Sequence, residues 1–242
     1  MIELKYKEIA TFTAHLINEF AKEINAQSYL EIGVLYGNTI LNVDIEKRFA
    51  VDLCVPFYFK EFDLESHQVS SDEFFINNSK SFDIIFIDGY HDYEHVKRDL
   101  NNSLKCLNEN GIIIIDDVVP IDELSAMTTQ SEEIQARLAS GGSSTAWFGD
   151  VYKVLFDIHD DMPELDYLIL NHYNVKEGII EFGNGPKAIV WKSESNRTPI
   201  IGDVDKIANV NFNDFIQCLP LMQQNLQNFK YLNVLNRVID FK

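Results

Sequence analysis

The chain has 242 residues, 46% of them hydrophobic, enough for a substantial core in one large α/β domain or a domain with appendages. Its formal net charge of −18 repels phosphate backbones, which argues against nucleic acid as a main partner and leaves small cations unopposed. Cys54, Cys106 and Cys218 are scattered and form no C-x-x-C, so free thiols are expected rather than a disulfide framework or a cysteine zinc site.

No apolar run reaches the length of a spanning helix, and Met1-Ile2-Glu3-Leu4-Lys5 does not open a signal peptide. The expected location is cytoplasmic, with no membrane partner. Ile9, Phe12, Leu16, Phe20 and Ile24 recur at helical spacing and predict an amphipathic helix within residues 2–26. A strand over 28–33, a helix over 38–47 and a strand over 48–53 follow. Residues 54–66 hold Phe57, Tyr58, Phe59 and Phe62 with little periodicity, as in a short helix or a substrate-side loop. His67-Gln68-Val69 is a weak third strand, and a helix runs through Phe74, Phe75 and Ile76. Phe82–Gly89 is a near-continuous apolar run, suited to a central parallel strand covered on both faces. Tyr93, Val96, Leu100, Leu104 and Leu107 mark a helix that Asn110-Gly111 is expected to stop. A fifth strand spans 112–117.

This alternation predicts parallel β/α units. Residues 118–148 break it, with a helix expected over Asp122–Leu138, a flexible Gly141-Gly142-Ser143-Ser144-Thr145, and the role of a lid or substrate loop. A helix through Val151, Val154, Leu155 and Ile158 comes next. Tyr167–Leu170 and Ala188–Trp191, with Gly178, Gly183 and Gly185 between them, form a late antiparallel strand pair. Met222, Leu226, Phe229, Leu235 and Val238 mark C-terminal helices. The expected architecture is therefore α/β, a doubly wound, Rossmann-like, mostly parallel sheet. Residues 1–27 form an N-terminal helical extension, 28–192 the core and 193–242 a C-terminal helical segment.

The first strand breaks into Glu31-Ile32-Gly33-Val34-Leu35-Tyr36-Gly37, an E-x-G-x-x-x-G turn in which glycine lets backbone approach a ligand. The second strand ends in Asp52, placed to bond ribose hydroxyls. Dinucleotide folds carry G-x-G-x-x-G, and Leu35 stands where the middle glycine would admit a pyrophosphate. No triphosphate loop is present. Ligands of open α/β sheets bind beyond the carboxyl ends of the strands, and Glu31, Asp52, Asp88, Asp116 and Asp117 all fall at such ends, with Asp72 after the third strand.

The glycine turn and its strand-end acid resemble motif I and the ribose acid of class I S-adenosylmethionine-dependent methyltransferases. Ile87-Asp88-Gly89-Tyr90-His91-Asp92-Tyr93-Glu94, Ile114-Ile115-Asp116-Asp117 and Trp147-Phe148-Gly149-Asp150-Val151-Tyr152-Lys153 further resemble the branch containing sugar O-methyltransferases of macrolide and aminocoumarin pathways. The resemblance implies S-adenosylmethionine as cofactor. Glu31 and Gly33 would contact its amino acid portion, Gly37 would shape the turn, Asp52 would bind the ribose, and Ser71 and Asp72 would flank adenine. Asp88 would stand beside the cofactor and, with Asp116 and Asp117, bind magnesium. His91 would be the base that deprotonates the acceptor hydroxyl; Tyr90 occupies the place of an alternative aspartate base.

The expected partner is a small-molecule hydroxyl acceptor, on a sugar or another hydroxylated metabolite, with a homo-oligomer left open. Tyr36, Phe57, Tyr58, Trp147 and Phe148 are candidates for its pocket. A nicotinamide-dependent oxidoreductase and a cofactor-binding module without turnover are the alternatives. His91-Asp92-Tyr93-Glu94-His95 also matches the H-x-x-E-H zinc-peptidase pattern, although it begins at a strand end rather than within a helix.

Overall fold

Strand β4 (Phe82–Ile87) lies at the middle of a seven-stranded sheet ordered β3-β2-β1-β4-β5-β9-β6. In the computed structural model, residues 12–143, 147–170, 175–176, 179–180, 185–222 and 230–239 are described. Strands β1 (Ser28–Ile32), β2 (Lys47–Val51), β3 (Glu65–His67), β4 and β5 (Leu107–Ile115) are parallel. Strand β6 (Leu165–Leu170) is an edge, and β9 (Lys187–Lys192) runs antiparallel between it and β5. The short pair β7 (Val175–Lys176) and β8 (Ile179–Ile180) stands apart. The late antiparallel pair expected from sequence is thus β6 and β9.

Alternation along the strands divides the core in two. Leu30, Ile32, Ile85, Ile87, Ile113 and Ile115 face one side, where α2 (Ser71–Asn77), α3 (Tyr93–Cys106), α5 (Val154–Asp161), α6 (Val204–Ile207) and α7 (Phe212–Met222) supply apolar side chains. Tyr29, Ile84, Phe86, Ile112 and Ile114 face the other, under Leu16, Ile17 and Phe20 of α1 (Phe12–Ile24) and Val234, Leu235 and Val238 of α8 (Leu232–Ile239). Both faces are covered, which is why the central strands are rich in apolar residues pointing to either side. Among the described residues, no helix is long and apolar enough to cross a membrane.

Four elements differ from the sequence expectation. The helix over 38–47 is reduced to a 3₁₀ turn at Ile40–Asn42. Its carbonyls go elsewhere: Ile40 and Val43 accept from the Arg48 guanidinium, and Asn42 accepts from Asn18. The third strand lies at 65–67, where its backbone meets Phe49–Val51. Helix α3 ends at Cys106, and Asn110-Gly111 lies inside β5, at an irregularity where the pairing shifts between Phe82↔Leu107 and Ile84↔Ile112. Helix α4 (Gln130–Ala139) starts late because the Thr129 side chain caps it. The expectations on Ile9, Ser144, Thr145, Gly178, Gly183, Leu226 and Phe229 fall outside the described residues.

Asp83 fastens the lower ends of three strands. Its Oδ2 accepts from the Gln27 and Ser28 amides at 2.8 and 3.0 Å and from the Ser28 hydroxyl, and its Oδ1 accepts from Asn108 at 2.6 Å. Burial alone would raise its pKa, but these donors outweigh it and hold the carboxyl below the ordinary aspartate value of 3.8. The stabilisation is therefore present above the unfolded pKa and lost as pH falls through the depressed folded one. Asp83→Ala is expected to cost about 2 kcal/mol in urea unfolding at neutral pH, with the difference from wild type shrinking in acid. Equal stability of the two at pH 7 would refute this role.

Candidate functional site

The site begins where β1 ends. Gly33 has φ +83°, and a Cβ there would lie 2.0 Å from the Asp88 carbonyl oxygen, so only glycine lets the ends of β1 and β4 meet. The amides of Val34 and Leu35 both donate to Asp52 Oδ2, at 2.9 and 3.1 Å, and Cys54 N donates to Oδ1 at 2.9 Å. Asp52 thereby shapes the glycine turn, and Oδ1 keeps acceptor capacity for a ligand hydroxyl. Leu35 has φ +44°, an uncommon conformation for a bulky residue, and its side chain is exposed at the cleft mouth.

Glu31, Gly33, Asp52, Ser71, Asp72, Asp88, His91, Asp116 and Asp117 line one cleft of about 960 Å³. Gly37 does not line it and turns with φ +75° against the Phe59 ring; of the aromatic pocket candidates, Tyr36, Trp147 and Phe148 line the cleft, whereas Phe57 and Tyr58 do not. At one end, Ser70 caps α2 by accepting from Glu73 N, which presents Ser71 and Asp72. Ser71 stands near Asp99, a cleft-lining carboxyl of α3 that sequence reasoning missed. Burial pushes Asp99 up to about 6, with the Ser71 hydrogen bond opposing. The only sequence signal was a lone aspartate on the apolar side of α3.

The other end is a cluster of charge. Glu31 is buried and accepts from the Tyr29 hydroxyl at 2.5 Å; burial raises its pKa well above normal. His91 lies between two acids, with Nδ1 3.1 Å from Asp117 Oδ2 and Nε2 3.5 Å from Asp88 Oδ1. Nδ1 is also 3.0 Å from the Trp147 carbonyl, which can only accept, so Nδ1 carries a hydrogen. The imidazole stacks on the Trp147 indole at 5.4 Å and 22°. Burial would lower the His91 pKa, but Asp117 and Asp88 prevail and raise it to about 10. Burial and the neighbouring Asp116 carboxylate raise Asp88; burial also raises Asp117, against the pull of His91. One imidazole thus faces both carboxylates, Asp117 from Nδ1 and Asp88 from Nε2.

Asp116 takes a different partner from the one its neighbours share. Its Oδ1 accepts from Lys187 Nζ at 2.8 Å, with both side chains buried, and from the Asp117 amide. Lys187 donates as well to the Gly185 carbonyl. Sequence reasoning began the late strand one residue after Lys187. Because Ile115 pairs with Ala188, one more step of that antiparallel register sets Asp116 beside Lys187. Asp88, His91 and Asp117 each offer a ligand atom, all within 4.8 Å of one another, a donor set that suits one divalent cation. Of the three aspartates expected to bind magnesium, Asp116 is held by the lysine ammonium, which leaves Asp88 and Asp117 facing His91. His91 precedes α3, and the His95 ring is turned to Asp92 at 2.7 Å, so H-x-x-E-H does not form a two-histidine helical face.

A protein-family model described as a methyltransferase domain matches residues 56–118. The methyltransferase PaMTH1 of Podospora anserina, bound to S-adenosylhomocysteine, superposes with a TM-score of 0.51 at 15% identity, over 74% of this chain and 76% of that one. The O-methyltransferase TomG of Streptomyces achromogenes, involved in tomaymycin synthesis and bound to S-adenosylmethionine, gives a TM-score of 0.50 at 12% identity, over 74% and 79%. No curated protein matches by sequence. The chain has the Rossmann-like methyltransferase fold.

Lys187→Met leaves a buried carboxylate without its counter-ion and is expected to cost about 3–5 kcal/mol in urea unfolding. The Asp116→Asn/Lys187→Met pair should recover much of that loss. A single variant as stable as wild type would show that the ion pair does not hold Asp116.

Proposed function

We propose that the protein is an S-adenosylmethionine-dependent O-methyltransferase whose acceptor is a small molecule with adjacent hydroxyls, such as a sugar, assisted by a divalent cation. The observation that carries this reading is the convergence of Glu31, Asp52, Asp88, His91 and Asp117, distant in sequence, on one cleft beside a glycine turn. The matched methyltransferase-domain segment includes Ser71, Asp72, Asp88, His91, Asp116 and Asp117.

S-Adenosylmethionine supplies an electrophilic methyl group, and a cation at the carboxylates lowers the pKa of a hydroxyl bound to it. The remaining chemistry belongs to the chain. Asp52 Oδ1 accepts from a ribose hydroxyl while Oδ2 keeps the glycine turn closed against the ligand. Asp88 and Asp117 are the residues that would hold Mg²⁺. A cation held there would offset the carboxylate charge that raises the His91 pKa. With Nδ1–H committed to the Trp147 carbonyl, Nε2 becomes the free lone pair and takes the acceptor proton. The new O–CH₃ bond forms as the S–CH₃ bond breaks, and its electron pair stays on sulfur. Tyr90 and Trp147, packed edge to face against each other at 5.5 Å, line the same cleft and offer apolar faces beside hydroxyl-binding groups, a combination suited to a sugar ring.

Calorimetry should detect S-adenosylhomocysteine binding and no NADH binding. Transfer of labelled methyl from S-adenosylmethionine to a panel of monosaccharides and catechols should rise with Mg²⁺ and fall in chelator. His91→Ala should reduce that transfer by about 100-fold or more while sparing S-adenosylhomocysteine affinity. Binding of NADH in preference to S-adenosylhomocysteine would reject the reading, and full activity of His91→Ala would remove His91 as the base.

A further inference from the structure

Helix α4 is seated unusually. It buries Glu133 completely, while Ile134 is 39% and Leu138 64% exposed. Apolar burial therefore contributes little to its position, and polar contacts decide it. Arg137 makes those contacts: both terminal nitrogens donate to the two Asp122 oxygens, each at 2.6 Å, and Nε donates to Glu133 at 2.8 Å. A two-pronged guanidinium–carboxylate pair fixes orientation as well as distance.

Asp122 passes that constraint on. Its Oδ1 accepts from Ser125 N at 2.8 Å, and the Ser125 hydroxyl bonds back to the Asp122 backbone, closing a tight turn. The buried Ser125 carbonyl then accepts from both Phe148 N and Gly149 N at 2.9 Å. Two residues on, the Met127 carbonyl accepts from Trp147 Nε1 at 2.6 Å. Trp147 in turn supplies the carbonyl and the stacking face that meet His91. Gly149 has φ +64° and lies so close that a Cβ would fall 1.6 Å from the His91 carbonyl oxygen. Arg137, Asp122 and Ser125 do not line the cleft, yet an unbroken series of contacts leads from them to the imidazole.

We infer that Arg137 and Asp122 are positioning residues: their ion pair holds the Ser125 turn, and through Trp147 it sets the orientation and tautomer of His91. The catalytic consequence rests on the function proposed above; the structural coupling does not. Arg137→Ala, Arg137→Lys and Asp122→Asn are compared with wild type by acrylamide quenching of tryptophan fluorescence and by the ¹⁵N shifts of the His91 ring. Trp191 is buried, so added quenching reports Trp147.

All three variants should increase quenching and shift the His91 Nδ1 resonance, because lysine keeps the charge but cannot form the fork. S-Adenosylhomocysteine affinity should stay near wild type while methyl transfer falls about 10- to 100-fold, as for a misplaced reacting group. Unchanged quenching and an unchanged His91 resonance in Arg137→Lys and Asp122→Asn would overturn the inference. So would a parallel loss of S-adenosylhomocysteine binding, the mark of general disruption. If wild type neither binds S-adenosylhomocysteine nor transfers methyl, the proposed activity fails, while the two spectroscopic measurements still decide the coupling.

Discussion

The near-contact between Gly33 and the Asp88 carbonyl is the constraint from which the cleft is built. It lets the ends of β1 and β4 sit side by side and brings Glu31, Asp52 and Asp88 to a common rim. Asp52 then acts on the same turn from the neighbouring strand, with one oxygen serving two consecutive amides. A side chain at position 33 would have to push the strand ends apart. The acids would remain in the sequence, but their geometry would be gone. Leu35 shows the cost of so tight a turn: it sits in the left-handed region, a kind of strain that concentrates where a structure must present a particular surface.

The second theme is charge placed in low-dielectric surroundings. A buried carboxylate is costly unless paired, and the acids at the charged end of the cleft solve the problem in two ways. Asp116 has a permanent partner in Lys187. Asp88 and Asp117 share a titratable one in His91. Only the second arrangement can exchange a proton for another cation, although Asp116 and Asp117 are adjacent in the chain. The acidic chain as a whole adds a field that favours cation entry.

Much of this was legible in the residues. Continuous apolar runs capped by acids marked β1, β2, β4 and β5 and placed Glu31, Asp52, Asp88 and Asp116–Asp117 on one edge, because parallel strands end on the same side. The late pair was equally visible in Tyr167–Leu170 and Ala188–Trp191. What escaped depends on partners remote in sequence. Nothing local to 38–47 reveals that Arg48 and Asn18 take carbonyls a helix would need. Asn110-Gly111 looks like a helix stop, but it sits in a strand irregularity set by pairing with β4. Lys187, Asp99 and the Arg137–Asp122 pair are ordinary charged residues until the fold shows what they face. The motif was visible; its supports were not.

Strand β9 has a consequence for synthesis. It enters the sheet from late in the chain, and its first residue, Lys187, reaches an aspartate 71 positions earlier. At about 5–20 residues per second, roughly 4–14 s separate the emergence of Asp116 from a ribosome and the emergence of its ammonium. During that interval the nascent β1–β5 unit carries an unmatched acid at its rim and lacks a neighbour along β5. The half-made protein must keep that edge wet or shielded by a chaperone, and the rim closes only when the returning strand arrives.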